Sequence, residues 1–225
     1  GLGIRLVTAD TLRAIDGSRL LVATGTTIGV SLGAAVVALG LAMPLAAIAA
    51  RYVTKWSGVL ESLGYLSHAL PGIVVGLSLV FFSLAVVPAL YQTFIILVFA
   101  YAVLFMPKAL GTARASIEAV SPDLVHVART LGATPFSAWR RVTLPLALPG
   151  LGIGALLVAI TTMKELPATL LLRPTGANTL ATELWTRTAA GEFGGAAPYA
   201  AILVLVAAIP AMILSGVRPG AKETL

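Results

Sequence analysis

The side chains of this chain able to do chemistry are few, and their spacing excludes more than it permits. Only two histidines occur, His68 and His126, far apart along the chain, so no metal site is assigned. There is no cysteine, which removes disulfides, iron–sulfur clusters and thiolate catalysis. No Gly-x-x-x-x-Gly-Lys-Ser/Thr phosphate loop is present, and no Ser/His/Asp or paired-carboxylate constellation stands out. The chain is therefore read as non-catalytic. Two polar features remain: the adjacent pair Lys164–Glu165 beside an apolar stretch, and the basic segment 121–145 between two such stretches.

Segment 121–145 carries the start and stop signals of two short helices. Ser121 caps a helix that begins Pro122-Asp123, where proline loses nothing by lacking an N–H and the acid meets the positive end of the helix dipole. That helix is expected to reach Leu131 and stop at Gly132. Thr134 and Pro135 repeat the start, for a second helix through about Arg141. Leu124, Val127, Ala128 and Leu131 fall on one apolar stripe, with His126, Arg129 and Thr130 away from it. Such a hairpin either lies on a membrane surface or docks into a partner protein.

The elements around the hairpin belong in a bilayer. Of 225 residues 58% are hydrophobic and 11% charged, with mean hydropathy +0.98, far from soluble domains, where about a quarter are charged. A span needs roughly 20 mostly apolar residues. Five stretches qualify, near 20–48, 63–87, 94–106 with its flanks, 146–166 and 197–214. Each is expected to be a helix, because lipid offers backbone groups no water, and the first is long enough to tilt or protrude. The fold class expected is an all-α membrane protein of five to six spans.

Basic residues accumulate in cytoplasmic loops. Arg51, Lys55, Lys108, Arg114, Arg129, Arg140, Arg141, Arg218 and Lys222 follow the first, third and fifth spans. The opposite side carries Arg5, Arg13, Arg19, Arg173 and Arg187 interspersed with Asp10, Asp16, Glu183 and Glu192. The N-terminus is thus expected outside and the C-terminus in the cytoplasm. Residues 1–19 form an extracytoplasmic lead-in, 20–217 the membrane domain and 218–225 a cytoplasmic tail. The net charge of +6 resides in membrane-flanking loops, so nucleic-acid binding is not expected.

Glycines repeat every four residues at Gly25, Gly29 and Gly33, at Gly72 and Gly76, and at Gly150 and Gly154, a spacing that lets lipid-embedded helices approach closely. Pro44, Pro71, Pro107, Pro149 and Pro210 fall within or at the ends of spans, where proline kinks a helix. Lys164 and Glu165 are expected at the outer end of the fourth span. There they either snorkel to the interface or face a water-filled path.

The run His126-Val127-Ala128, three residues, Gly132, nine residues, Val142-Thr143-Leu144-Pro145 resembles the cytoplasmic-loop signature of membrane subunits of binding-protein-dependent ABC importers. That signature reads Glu-Ala-Ala, three residues, Gly, nine residues, Ile, any residue, Leu-Pro. His126 replaces the glutamate and Val127 the first alanine. The stretch Thr161 to Pro174, with Thr179 to Trp185, is most similar to permeases of ferric iron importers, thiamine, phosphonate and polyamine permeases being near relatives.

The resemblance implies a type I importer core whose hairpin is a coupling helix seated on a cytoplasmic ATPase. Asp123, Leu124, His126, Val127, Ala128, Arg129, Leu131, Gly132, Ala133, Thr134, Pro135, Phe136 and Arg140 would form or support that contact. Pro71, Gly72, Met163, Lys164 and Glu165 would belong to the translocation path or its gate, and Arg173, Trp185 and Glu192 to the contact with an extracytoplasmic binding protein. The implied partners are a dimer of ATPase subunits holding ATP and Mg, that binding protein, and a second permease copy or sibling half. The chain itself needs no cofactor. Because the chain opens on Gly1, it is read either as lacking preceding residues or as the second half of a fused permease, in a bacterial inner membrane. The competing class is a channel or ion-coupled secondary transporter, expected to carry ionisable groups at mid-membrane.

Overall fold

The computed structural model describes residues 16–51, 58, 59, 62 and 64–216. The expected lead-in up to residue 15, Lys55, and the tail 218–225 with Arg218 and Lys222 lie outside them. Helix α1 (Gly17–Arg51) is started by Asp16, whose carboxylate accepts the N–H groups of Ser18 and Arg19, each at 3.1 Å. The Ser18 hydroxyl, also donating to it, and then the Arg19 N–H hold the Asp16 carboxyl below its ordinary range.

After a 3-10 turn (Leu66–Ala69) come α2 (Gly72–Val86) and α3 (Phe94–Glu118). The hairpin helix α4 (Pro122–Thr130) leads to α5 (Pro135–Thr162), which contains a π turn at Trp139–Thr143. Beyond it lie α6 (Pro167–Leu172), α7 (Leu180–Ala189) and α8 (Phe193–Gly216). Among the described residues α1, α3, α5 and α8 are long and apolar enough to cross a membrane, and α2, with 15 residues, is a shorter apolar helix.

Two expected spans are broken. The stretch 63–87 is interrupted at Leu70–Pro71, since proline cannot continue the preceding turn and α2 begins afresh after it. The stretch 146–166 ends at Thr162, and Pro167 starts the separate six-residue α6. A third difference concerns the hairpin. Its second helix does not stop near Arg141 but runs through the π turn into the span, forming one 28-residue rod.

The core is a sandwich of α1, α3 and α5 built on small residues. Ala34, Ala35, Ala38, Ala42 and Ala46 of α1 are buried against α3 and α5. Of the glycine repeat in α1, Gly33 meets Val98, whereas Gly25 and Gly29 have open space before them. The face that packs is therefore the alanine face one step round the helix. In α5 the expected glycines do pack: a Cβ on Gly150 would lie 2.2 Å from Ser116 Oγ, and one on Gly154 2.3 Å from Thr112 Oγ1. Gly76 of α2 lies against Ala168 and Leu171 of α6 in the same way.

Candidate functional site

The hairpin is firmly rooted and exposed at its tip. Ser121 Oγ accepts the Asp123 N–H at 3.3 Å, and Thr134 Oγ1 accepts that of Ser137 at 3.2 Å. Between the two helices Gly132 holds φ +90°, a backbone that an L side chain strains to adopt. At the root, Ala138 and Thr143 are buried, and Trp139 packs on the α1–α3–α5 core. Arg51 Nη2 donates to the carbonyls of Ile117 (3.3 Å) and Val120 (3.0 Å), tying the end of α1 to the end of α3 just before the hairpin.

Among the described residues nothing covers Leu124, Val127 and Leu131 (82% exposed) of the apolar stripe, nor Phe136 (73%) of the second helix. Asp123, His126, Arg129 and Arg140 are also exposed, while Ala128 and Ala133 are half-buried. Ala128, Leu131, Gly132, Ala133, Thr134 and Arg141 line part of a cleft of about 580 Å³ beside the tip.

A second polar site lies where the broken spans face each other. The order of contacts along α3 and α5, Ser116 with Gly150 and Thr112 with Gly154, fixes how deep the far end of α5 lies. Extended by two turns, it puts Thr162 level with Leu104, some 10 residues or about 15 Å from the Phe94 end of α3. Lys164 and Glu165 thus follow the outer end of α5, as expected, but because α5 stops early they are set in by about 12 Å from the Phe94 end of α3. Lys108 is likewise part of α3 rather than of the loop after it, and its Nζ donates to Thr161 Oγ1 at 3.0 Å and sits 5.3 Å from the Phe105 ring centre. Arg114 too belongs to α3, where its Nε is 2.7 Å from Glu118. Sequence reading missed Lys108, although a lysine inside an apolar helix is itself the signal.

The Glu165 carboxylate accepts the Ala168 N–H at 3.0 Å, capping α6, and presses on Gly72 at the start of α2. A Cβ on Gly72 would lie 2.9 Å from Glu165 Oε1. One acid thus sits against the N-terminal ends of two helices, where the dipole favours negative charge. Thr169 and Tyr101 buttress α6 with a buried hydroxyl contact of 2.5 Å. Ser67, Leu70, Gly72, Phe105, Lys108 and Glu165 line a cleft of about 190 Å³ here. Pro71 and Lys164 are exposed beside it, whereas Met163 is buried within the chain.

At the end of the bundle opposite the hairpin, α7 packs on α1, and the Leu180 N–H bonds Thr27 Oγ1 at 2.8 Å. Arg173 donates to Asn178 and to the Ala177 carbonyl; Asn178 in turn donates to the buried Glu183 at 2.6 Å. Glu183 also receives Arg187 Nε at 3.2 Å, and Arg187 lies 4.9 Å from the Tyr199 ring centre. Partial burial disfavours the Arg187 charge, but Tyr199 and Glu183 outweigh it and raise the guanidinium's affinity for its proton. Of the three residues expected here, Arg173 is engaged internally, Trp185 is 53% exposed, and Glu192 is exposed at 3.6 Å from Arg187.

The chain is 42% identical over 173 residues, 77% of its own length, to the Fe(3+)-transport system permease protein FbpB 2 of Haemophilus influenzae, of which that match covers 34%. It is 32% identical over 79% of its length to the putative 2-aminoethylphosphonate transport system permease protein PhnV of Salmonella typhimurium, covering 66% of that protein. It therefore spans about a third and about two thirds of these two relatives. Its fold matches the MetNI methionine ABC transporter with a TM-score of 0.67 at 17% identity, over 88% of this chain and 96% of that one. It matches an amino acid ABC transporter with a TM-score of 0.65 at 19% identity, over 93% and 97%. Residues 42–218 match the binding-protein-dependent transport system inner membrane component, and the chain belongs to that family.

Proposed function

We propose that this chain is the membrane-spanning part of a type I ABC importer in a bacterial inner membrane, with ferric iron as its cargo. The observation that carries the reading is the hairpin: a rigidly rooted tip whose apolar side chains Leu124, Val127, Leu131 and Phe136 have no cover among the described residues. Exposed apolar side chains in such an array suit a groove on a soluble ATPase, which would hold ATP and Mg and supply the energy. The Arg51, Arg114, Arg129, Arg140 and Arg141 side chains at this end support a cytoplasmic hairpin and an N-terminus on the other face.

Coupling is then a matter of mechanics. Because α5 is one rod from Pro135 to Thr162, a push on the hairpin reaches Thr161 and the cleft beyond it as rigid-body motion. Lys164, exposed about 12 Å in from the Phe94 end of α3, is costly against lipid, by up to about 3 kcal/mol on insertion scales. Its face therefore suits a water-filled path shared with a second permease half, with Pro71, Gly72 and Glu165 beside it. At the opposite end Trp185 and Glu192 are available to a substrate-binding protein. Iron is favoured by the 42% identity to a ferric permease, against 32% to a phosphonate one.

Leu131→Asp and Gly132→Pro should each abolish co-purification of the ATPase while the chain stays in the membrane. Retention of the ATPase with normal uptake in both would overturn the coupling role. Normal uptake of labelled iron in cells lacking this chain, with another solute no longer taken up, would overturn the cargo.

A further inference from the structure

We infer that the species crossing this bundle does so as an anion, an oxyanion or a metal enclosed in a carboxylate chelate of net negative charge. The inference rests on the path proposed above and concerns the charges along it. Lys108 and Glu165 line one cleft, and Lys164, the neighbour of Glu165 in sequence and three residues past the Thr161 that Lys108 bonds, is exposed beside it. Among the described residues no carboxylate forms an ion pair with either lysine.

The single acid is already committed. Glu165 caps α6 through the Ala168 N–H and lies against Gly72, so two helix N-termini neutralise much of its charge. Lys108 uses one N–H on Thr161, leaving its other two for solvent or cargo. Beside them Ser67 Oγ is shielded from solvent and has no hydrogen-bond partner among the described residues, a further hydroxyl at the same cleft. Two lysines and one hydroxyl beside an apolar-walled cleft produce a positive potential, the arrangement by which pores admit anions. A bare trivalent cation would be repelled there. A second copy or homologous half with the same residues would double the field.

This chain has no cysteine, so a test on the assembled transporter, with any cysteines of its partners replaced, does not depend on knowing the cargo. In membrane vesicles carrying the permease with its ATPase, Leu70→Cys places one thiol at the cleft, with Leu70 49% exposed. Ala69→Cys, at an exposed position in the same turn, serves if the first variant does not accumulate. The thiol is reacted with an anionic sulfonatoethyl and a cationic trimethylammonioethyl methanethiosulfonate, and the rate ratio is normalised to that of mercaptoethanol. We expect the anionic reagent to be favoured by on the order of tenfold, and the preference to vanish when Lys164→Gln and Lys108→Gln are added. Equal rates, or preference for the cation, would overturn the inference and leave the aqueous path standing. No reaction with either reagent would remove the path itself.

Uptake of ferric citrate, of 2-aminoethylphosphonate and of molybdate into the same vesicles separates the possible sources. Whichever is carried should fall at least about tenfold in Lys164→Glu and persist in Lys164→Arg. Uptake unchanged or raised by Lys164→Glu would also overturn the proposal.

Discussion

The contact between α3 and α5 predicts a rescue that a less specific packing argument would not. A Cβ added at Gly150 would lie 2.2 Å from Ser116 Oγ, 2.9 Å from its Cβ and 3.5 Å from its Cα. Rotating the hydroxyl removes only the first clash. It also breaks the 2.6 Å bond from Ser116 Oγ to the Thr112 carbonyl, worth about 1 kcal/mol. The Cβ–Cβ contact persists whatever the rotamer, so the helices must part, and overpacking of this kind costs about 1–3 kcal/mol. Gly150→Ala should therefore destabilise the protein by about 2–4 kcal/mol. Ser116→Gly alone deletes a half-buried side chain and should cost about 1 kcal/mol, with added helix entropy.

Combined, the two changes exchange which helix carries the methyl group, and the pair should recover at least about 1.5 kcal/mol relative to the sum of the single variants. The assay is reversible unfolding of the purified protein in mixed micelles, with midpoints converted to free energies for all four members of the cycle. Additive costs would refute the claim that Gly150 is required by Ser116 rather than by the flexibility of α5. Gly152, with nothing within 4 Å of its would-be Cβ, supplies the control: Gly152→Ala should be neutral or slightly stabilising, by up to about 1 kcal/mol.

Leu131→Ala should leave the unfolding midpoint unchanged, since the side chain is 82% exposed in this chain, yet weaken ATPase association by about 10–100-fold if a partner buries it; titration of ATPase onto the permease in nanodiscs checks both. Arg51→Met removes two donors from the end of α3 and should lower stability by about 1–3 kcal/mol, read by the same micelle unfolding and absent if water replaces the guanidinium.

The hairpin was legible because its signals are local. Ser121-Pro122-Asp123, Gly132 and Thr134-Pro135 each fix a cap or a turn through their own backbone, and all three stand where the sequence puts them. The continuation past Arg141 was not, because the residues from Trp139 to Thr143 carry no breaker and the buried Thr143 and Ala138 bind the rod to the core. Apolar composition located the spans but not their interruptions. A run such as 63–87 reads as continuous on hydropathy, yet Pro71 breaks it, since its ring and missing N–H act whatever the surrounding hydropathy. The packing face of α1 was misplaced for a related reason. Alanine and glycine both permit close approach, and the choice between the stripes through Gly29 and Ala34 is made by the partner surface of α3, which no local pattern encodes. Depth was the most consequential of these differences: Lys164 comes after an apolar stretch of ordinary length, and only the pairing of α5 with α3 reveals that α5 stops about ten residues short of the Phe94 end of α3.

That offset gives α5 its mechanical character. Its 28 residues span about 42 Å, with the exposed hairpin at one end and, just past the other, Lys164 and the Glu165 contact to Gly72. Pivoting that rod by on the order of 10° about its Gly150 and Gly154 contacts displaces its far end, roughly 15 Å away, by about 3 Å, enough to break a hydrogen bond. Near that end Thr162 and Met163 are buried, and the polar contacts include a Lys108–Thr161 bond and the carboxylate capping α6. The contacts at mid-rod are glycines locked against Ser116 and Thr112. A motion entering at the hairpin thus meets a stiff fulcrum before it reaches the polar contacts at the far end. Relative movement is expected where α5 meets α6 and α2, at the two breaks in the spans, while α1, α3 and the middle of α5 move as one body.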